Sequence, residues 1–352
     1  MNSPFPASAS APGDGTITVK RLPNGHSHLE GITYQYPLKL ISPPRNHQQD
    51  RSVLVFLLSY GGGLVGGDSV NLAIQVQRDA RLSIVTQGHT KIFKSASPDI
   101  VTRQTLNVTV EDGAALCLLP DPVQPFAESV YEQTQIFRLR GPGASLFLLD
   151  WVTQGRSARG EDWDLVKWIG CNEVWWSSGA ATTTTTTTTN TTAAQSKGGG
   201  GGGRLLIRDA VKLDGRASPS AAGDLRSTMH GLGIFGTLIL RGPLARSLAE
   251  FFVAEFAALP RIGARDWRTE EARRLAEEDE GARDPHQVWR EERLGVERRE
   301  KVLWSAASVR GCVVVKFGAP TVEAGRTWIG SMLVKEGSVE EHFGDQALMC
   351  VR

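Results

Sequence analysis

The sequence predicts a mainly β fold, a coiled, β-helix-like or multi-sheet architecture with about two α-helices packed on it. Two observations indicate this class. Between Ile17 and Ile169, short segments rich in Val, Ile, Leu, Thr and aromatic residues follow one another, separated by turn signals such as Gly141-Pro142-Gly143. Over the same stretch no segment of ten or more residues has a helical period. Strands in series without helices between them favour antiparallel or coiled β-structure over alternating βαβ units.

The predicted strands are short and most have apolar residues at alternate positions. Leu106, Val108 and Val110, for example, share one face of their strand. In chain order the predicted strands cover residues 53–60, 70–77, 80–87, 103–110, 114–120, 132–139, 144–152, 204–213, 234–242 and 309–319. Two helices are predicted, at 244–259, where Leu248, Phe252 and Phe256 recur at helical spacing, and at 322–337.

Three segments differ in composition from this pattern. Residues 1–15 are rich in Pro, Ser and Ala and are expected to be disordered, which leaves 16–352 as one domain. A threonine tract followed by a glycine tract fills 177–203, and such a composition, which cannot bury a core, predicts a surface insertion. Residues 265–301 carry dense, balanced charge, and we expect a solvated helix or a disordered insertion there.

Composition narrows the class of protein. The 352 residues are 40% hydrophobic and 22% charged, as in ordinary soluble domains, and the net charge of +1 argues against nucleic acid or an anionic membrane as partner. No run of 18 apolar residues predicts a transmembrane helix, and the N-terminus does not resemble a secretory signal. The four cysteines lie far apart, so an intracellular, cytoplasmic protein is expected.

A glycine-rich run, Gly61 to Asp68, is the most distinctive motif. It fits G-x-G-x-x-G, but a dinucleotide site needs a helix that opens at the loop, and the next segment, SVNLAIQVQ, alternates like a strand. No Gly-Lys-Ser/Thr follows, so a P-loop is excluded as well. We expect the glycines to shape a tight crossing between strands, with Asp68 as the member that has chemistry to offer.

No motif of a known catalytic class is present. G-x-S-x-G and H-E-x-x-H do not occur, and the seven histidines are scattered, so no high-affinity cage of Cys and His is visible. Polar residues gather instead where predicted strands end, at 86–91, 119–126 and 149–161. Such segments are commonly turns, yet together they could line a polar cavity that holds a divalent ion loosely.

The same segments resemble the urease accessory protein UreD family, also called UreH. The matching stretches are YGGGLVGGD (60–68), TQGHTKIFKS (86–95), LPDPVQPFAES (119–129), LDWVTQGRSARGEDW (149–163) and RLLIRDAVKL (204–213). Their order and spacing agree with the family, and with its fungal branch above all.

The resemblance implies a function. It suggests a non-catalytic chaperone or scaffold that bridges apo-urease and a complex of UreF with the GTPase UreG. Transient Ni²⁺ would pass through an internal polar tunnel, with no permanently bound cofactor. Residue by residue, it points first to Asp68 and Glu161 as tunnel-lining or transient nickel contacts, and less strongly to Gln87, Lys91 and Asp150.

Two alternatives stay open at this point. A β-fold hydrolase could use Asp68, Asp150 and Glu161 as acid and base, since paired carboxylates do such work when their pKa values are pushed apart. A pure adaptor without metal contact is the other.

Overall fold

The computed structural model describes residues 11–44, 51–178, 203–216, 224–259 and 284–352. The strands within these ranges are β1 (Asp14–Arg21), β2 (Ser27–Tyr34), β3 (Leu38–Ile41), β4 (Val53–Ser59), β5 (Gly63–Leu64), β6 (Ser69–Val76), β7 (Arg81–Val85), β8 (Thr90–Ile92), β9 (Thr102–Val110), β10 (Ala115–Leu118), β11 (Val123–Pro125), β12 (Val130–Arg140), β13 (Ser145–Thr153), β14 (Lys167–Ser177), β15 (Arg204–Asp214), β16 (Ile234–Arg241), β17 (Leu303–Val309) and β18 (Cys312–Ala319). The helices are α1 (Leu225–Thr228), α2 (Arg246–Ala257), α3 (Pro285–Arg299), α4 (Val322–Glu336) and α5 (Ser338–Phe343). None of the described helices has the length and apolar character needed to span a lipid bilayer.

The strands form two large sheets. The first sheet has the order β15-β14-β12-β9-β6-β1-β2, and the second sheet has the order β17-β18-β16-β13-β10-β7-β4-β3. From β4 to β14 the chain passes back and forth between them, so that β6, β9, β12 and β14 pair in parallel in the first sheet. In the same way β4, β7, β10 and β13 pair in parallel in the second. This coil confirms the predicted fold class, and each of the ten predicted strands corresponds to an observed one.

Antiparallel pairing is confined to the flanks of the coil. It joins β1 to β2 and β14 to β15 in the first sheet. In the second sheet it joins β3 to β4 at one end and adds β16, β18 and β17 to β13 at the other. The short strands β5, β8 and β11 pair in parallel with one another on the path between the sheets. Successive turns of the coil therefore contribute strands to the first sheet, to the second sheet and to the group of short strands β5, β8 and β11.

Alternation explains why the inner faces of the sheets meet. In β6, Val70, Leu72, Ile74 and Val76 are buried while the residues between them are exposed. The inward side chains of both sheets form one apolar core, and burying each of the larger ones contributes about 1.5–3 kcal/mol. The inner face of each sheet is thus apolar and buried, and the outer face of β6 in the first sheet is exposed to solvent.

The second sheet is covered on its outer face as well. Phe147 and Leu149 of β13 point away from the coil and pack with Phe252 of α2 and with Trp328 and Leu333 of α4. This second core explains why β13 is apolar at nearly every position rather than alternating. The predicted helices at 244–259 and 322–337 correspond to α2 and α4, α3 lies in the charged segment for which a helix was one of two expectations, and α5 was not predicted.

The charged segment at 265–301 differs from its prediction where it is described. Helix α3 lies in this segment, in agreement with one of the two expectations, but it is not solvated on all sides, because Arg293 and Glu297 are buried. Their charges are paired four residues apart, and Arg293 also donates to the buried carboxylate of Glu255 on α2 at 3.0 Å. The error arose because charge density alone does not reveal that opposite charges can be buried as pairs.

The other two segments lie largely outside the described residues. Of the N-terminal segment 1–15, residues 14 and 15 belong to β1, so the expected disorder does not extend to them. The N–H of Asn71 donates to the carbonyl of Gly13, which fixes the start of that strand against β6. Of the threonine and glycine tract, 179–202 is outside the described residues.

Candidate functional site

Six polar side chains meet between the sheets, where the rest of the core is apolar. We call this set the polar layer; it consists of Gln133, Asp150, Asn172, Asp209, Thr237 and Lys316. Strand register brings them together, since Asn172 lies opposite Asp209, and Thr237 lies opposite both Asp150 and Lys316. Residues directly paired on adjacent strands point to the same face. The layer therefore has one half on each sheet.

Asp150 is the carboxylate at its centre. Its neighbours on the same face of β13, Leu148 and Val152, are fully buried. Gln133 Nε2 donates to Asp150 Oδ1 at 2.9 Å, and Asn172 Nδ2 donates to Oδ2 at 2.7 Å. Burial raises the pKa of Asp150, and these two amide donors offset only part of that shift. The result is an inward carboxyl group whose ionisation responds to any cation brought close to it.

Lys316 and Asp209 form the end of the layer that reaches solvent. Lys316 Nζ donates to Asp209 Oδ1 at 2.5 Å and to Thr237 Oγ1 at 3.1 Å. The Lys316 side chain is 46% exposed, whereas that of Asp209 is 14% exposed. Asp209 raises the pKa of Asp150 and Lys316 lowers it, after the larger effect of burial. The three charges therefore belong to one electrostatic unit.

Asp150 also borders a small cavity of about 30 Å³. Such a volume accommodates about one water molecule. Its wall is unusually polar for a β-core and includes Thr86, Thr90, Gln104, Asp121, Gln133, Gln135 and Asp150. Gln135 Nε2 donates to Asn172 Oδ1 at 3.0 Å, so the cavity wall and the polar layer share one hydrogen-bond network.

Asp121 forms the far wall of the cavity. Its Oδ2 accepts hydrogen bonds from Thr86 Oγ1 and the Gly88 N–H, and its Oδ1 accepts from Arg326 of α4 at 2.7 Å. His89 lies beside this pair; burial lowers the pKa of its imidazole, an effect that Asp121 opposes and Arg326 reinforces. The C-terminal helices thus contribute a cation to this end of the polar interior.

Asp68 closes a local turn. Its Oδ2 accepts the Val65 N–H at 2.8 Å, and its own N–H donates to the Val65 carbonyl at 3.0 Å. This is the usual way in which an Asp side chain stabilises a turn. Asp68 does not border the cavity, so its predicted contact with nickel stays a prediction without geometric support.

The glycines before Asp68 have the conformational role that the sequence indicated. Gly61 and Gly62 have φ of +71° and +76°, in the left-handed region. Gly63 is extended, but a Cβ on it would lie 2.6 Å from the Phe93 ring and 2.7 Å from the Lys91 carbonyl. The run is a tight turn that leads into β5, which lies in parallel beside β8 with Gly63 close to Lys91.

Glu161 is buried, and Arg156 is its main hydrogen-bond partner. It accepts from the Arg156 N–H at 2.7 Å and from Arg156 Nε at 2.8 Å, with a third bond from Nη2. Burial by itself raises the pKa of Glu161, but the hydrogen bonds from Arg156 and from the Ala127 N–H outweigh it and leave the pKa below its usual value. The Arg156 guanidinium also stacks on the Phe126 ring, 4.0 Å from its centre. These contacts stabilise the local conformation of the 149–163 segment. Glu161 does not border the cavity.

The two remaining candidates are exposed. Gln87 follows the end of β7, and Lys91 lies in β8 with its side chain in solvent. Of the five predicted residues, the structure brings Asp150 alone to the polar cavity. The three carboxylates that a hydrolase would use, Asp68, Asp150 and Glu161, each have a separate set of partners, which gives that alternative no shared acid–base site.

The cavity has oxygen and amide ligands rather than a metal cage. In the described part of the chain, no three His, Cys, Asp or Glu side chains come close enough together to hold a metal ion. Carboxylate, amide and hydroxyl oxygens bind divalent ions weakly and exchange them with water readily when few are charged. The chemistry fits passage of a divalent ion better than its storage.

Sequence reasoning missed most of the polar layer, although signals were present. Gln133 and Gln135 occupy two inward positions of β12 between Tyr131 and Phe137, which are buried and apolar. Asn172 interrupts the inward side of β14 in the same way. Polar residues at the inward-facing alternate positions of an otherwise apolar strand indicate a buried polar site. Lys316 and Arg326 gave no such signal, because their partners are distant in sequence.

Sequence comparison with known proteins finds similarity over nearly the whole chain. A sequence model of the family "UreD urease accessory protein" matches residues 12–347. A Schizosaccharomyces pombe protein named "Uncharacterized urease accessory protein ureD-like" is 31% identical over 94% of this chain and 96% of its own length. "Urease accessory protein UreD" of Sorangium cellulosum is 36% identical over 70% of this chain and 67% of its own. "Urease accessory protein D" of Arabidopsis thaliana is 33% identical over 46% of this chain and 54% of its own.

Proposed function

This chain belongs to the UreD family of urease accessory proteins, and we propose that it takes part in inserting nickel into apo-urease by passing Ni²⁺ through its polar interior. The observation that carries the proposal is Asp150, an inward-pointing carboxylate that borders a small polar cavity and faces a polar layer open to solvent at Lys316. Nickel is cargo in this proposal, and no permanently bound cofactor is needed.

The proposed path runs between the two sheets. It begins or ends at Asp121 beside Arg326, passes the cavity and Asp150, and reaches solvent at Asp209. Amide and hydroxyl groups of Gln133, Asn172 and Thr237 lie along it, and all three are buried. A buried polar row costs free energy unless its hydrogen bonds are satisfied, so its presence inside an otherwise apolar coil supports a functional role.

The proposed partners are apo-urease, UreF and the GTPase UreG, joined in a hetero-oligomer with this chain as a non-catalytic scaffold. Two outer strands support binding by surface contact: β17 and β2 lie at the ends of their sheets, and Leu303 of β17 is 65% exposed. Unpaired strand edges with exposed apolar side chains are typical sites of protein association.

A pure adaptor is the second candidate. It is favoured by the hydrogen bonds of Asp150, because Gln133 and Asn172 occupy one carboxylate oxygen each. On this alternative, the polar layer is structural and no nickel enters the chain.

The Asp150→Asn variant distinguishes passage of nickel through the chain from a pure adaptor role, and Asp99→Asn at an exposed position is the matched control. Both are expressed with urease and the other accessory proteins, urease is purified, and its nickel content is measured by mass spectrometry. Passage through the chain predicts at least about a tenfold loss of nickel for Asp150→Asn, with complex assembly unchanged and full loading for Asp99→Asn. Full loading with Asp150→Asn supports the adaptor. Asp68→Ala and Glu161→Ala in the same assay test the roles predicted from the sequence.

A further inference from the structure

The polar layer closes into a ring across both sheets, and one member of that ring is a cation. Asp150 is bonded to Asn172, which is paired with Asp209 across the β14–β15 ladder. Asp209 accepts from Lys316, which also donates to Thr237, and Thr237 is paired with Asp150 across the β13–β16 ladder. Every other charged group of the ring is a carboxylate.

The ammonium therefore sits where oxygen atoms converge. Its two hydrogen-bond partners are a carboxylate oxygen and a hydroxyl oxygen, at 2.5 and 3.1 Å. With both carboxylates ionised, the ring holds two negative charges against the one positive charge of Lys316. Removing that charge without replacement would leave Asp150 and Asp209 repelling each other at low dielectric.

Lys316 is also free to leave. Its side chain is 46% exposed, although its strand, β18, is paired on both sides. A lysine has a flexible four-carbon stem and a compact, strongly hydrated charge, so its ammonium can exchange the ring for water by rotamer changes alone. Asp209 and Thr237 lack this freedom, because they are mostly buried.

We propose that Lys316 is a displaceable counter-cation, which occupies the solvent end of the polar layer until a divalent cation replaces it. The inference rests on the proposed passage of Ni²⁺ and adds the element that governs entry or exit at this end. No bond is made or broken in the exchange: the ammonium keeps its proton and moves into water, and the incoming ion takes its place beside Asp209, Thr237 and Asp150. Lys316 is thus a residue that determines which charge the layer accepts.

The direct test is Ni²⁺ binding to the full-length chain, measured by titration calorimetry with nickel chloride at low ionic strength. Lys316→Met removes the competing charge and is expected to bind Ni²⁺ about tenfold more tightly than the wild type. Lys316→Arg keeps the charge and is expected to bind within about threefold of the wild type. Asp209→Asn is expected to bind more weakly. Equal affinity of Lys316→Met and the wild type, or a weaker Lys316→Met, overturns the proposal.

A measurement on the wild-type chain avoids dependence on how the variants fold. Acetic anhydride acetylates the unprotonated amine of lysine and releases acetate, and an ion pair with a carboxylate slows the reaction because it keeps the lysine protonated. Mass spectrometry reports each lysine separately. Addition of nickel chloride is expected to raise the acetylation rate of Lys316 several-fold while leaving that of Lys94, which pairs with Glu128 on the surface, unchanged. An unchanged rate at Lys316 overturns the proposal.

Failure here is distinguishable from failure of the proposed function. If Lys316 is not displaced but Asp150→Asn still lowers the nickel content of urease, the proposed passage of Ni²⁺ through the chain is supported and the proposed role of Lys316 as counter-cation is rejected. If Asp150→Asn has no effect on the nickel content of urease, the proposed passage of Ni²⁺ through the chain is rejected, whatever the result for Lys316.

Discussion

Asn172 and Asp150 lie on different sheets, and a hydrogen bond of 2.7 Å joins them across the interior of the coil. Gln133 to Asp150 and Lys316 to Asp209 are the companion polar links of the layer, and around them the two sheets meet mainly through apolar side chains. A polar link of this kind has a direction and a fixed geometry, whereas apolar contacts tolerate sliding. It therefore fixes how β14 lies over β13, and with it the position of the whole polar layer.

Replacing Asn172 by Ala is expected to destabilise the fold by about 1–3 kcal/mol, because Asp150 Oδ2 loses its donor while still buried. The loss of a donor also raises the pKa of Asp150 further, in the direction that burial already sets. Urea denaturation at neutral pH measures the change. Asn71→Ala is the control, since Asn71 donates to Asp14 from an exposed position, and its cost should stay below about 0.5 kcal/mol. Equal costs for both variants would contradict the role given to Asn172.

Glu161→Gln should reduce stability in a pH-dependent way. The folded pKa of Glu161 lies below its unfolded value, so its contribution is present above about pH 4.3, the ordinary glutamate pKa, and is lost as pH falls through the folded value. At pH 7 the variant is expected to be about 1–3 kcal/mol less stable than the wild type, and the difference should shrink as pH falls below about 4. Urea denaturation across this range tests it, with the exposed Glu292→Gln as control. A difference that grows in acid would show that the sign is wrong.

Glu255→Gln should be among the most costly single changes. This carboxylate on α2 is 1% exposed and accepts from His286, Arg290 and Arg293. Its loss leaves the buried Arg293 with Glu297 as its remaining ion-pair partner, and breaking one side of a buried charge network costs about 3–5 kcal/mol. Glu250→Gln, exposed on the same helix, should change stability by less than about 0.5 kcal/mol. Thermal and urea unfolding measure the loss of stability in both variants, and similar losses for the two would refute the stabilising role given to Glu255.

Gly63→Ala and Gly61→Ala separate two reasons for a glycine. At Gly61 a Cβ meets nothing within 4 Å, so its substitution costs only the left-handed backbone, about 1 kcal/mol. At Gly63 the backbone suits any residue, but the Cβ would overlap Phe93 and the Lys91 carbonyl, so about 2 kcal/mol or more is expected. Denaturant midpoints of the two variants give the comparison. If Gly61→Ala proved the more costly, the close approach of Gly63 to Phe93 and Lys91 would not be the reason for the glycine at 63.

The coil could be predicted because its strands carry their own local signal. In β6 and β9 the inward residues alternate with exposed ones, and that period is visible without knowledge of the partners. Parallel pairing could not be read in this way, since strand direction leaves no mark on a single strand. The sequence therefore left antiparallel and coiled arrangements both open.

The candidate site was predictable only in part. Asp150 was among the weaker candidates, and it proved to be the one that borders the cavity, whereas Glu161 and Asp68 are engaged in local contacts. A motif shows which residues lie close in sequence, but the polar layer depends on pairs such as Lys316 and Asp209, 107 residues apart. Burial of charged residues in α3 was missed for the same reason.

The long separation of these pairs also bears on how the chain comes to be folded. Arg326 reaches Asp121 across 205 residues, and Cys350 reaches the Thr86 carbonyl across 264. Contacts of such high contact order form late and slowly, because the intervening chain must be ordered before they contribute. During translation, the coil from β4 to β14 leaves the ribosome well before β16 and β18 do. Until residue 316 has been synthesised, the nascent coil holds an inward carboxylate without its lysine and a strand edge without its neighbour, and it is at this stage that the chain most needs protection from aggregation.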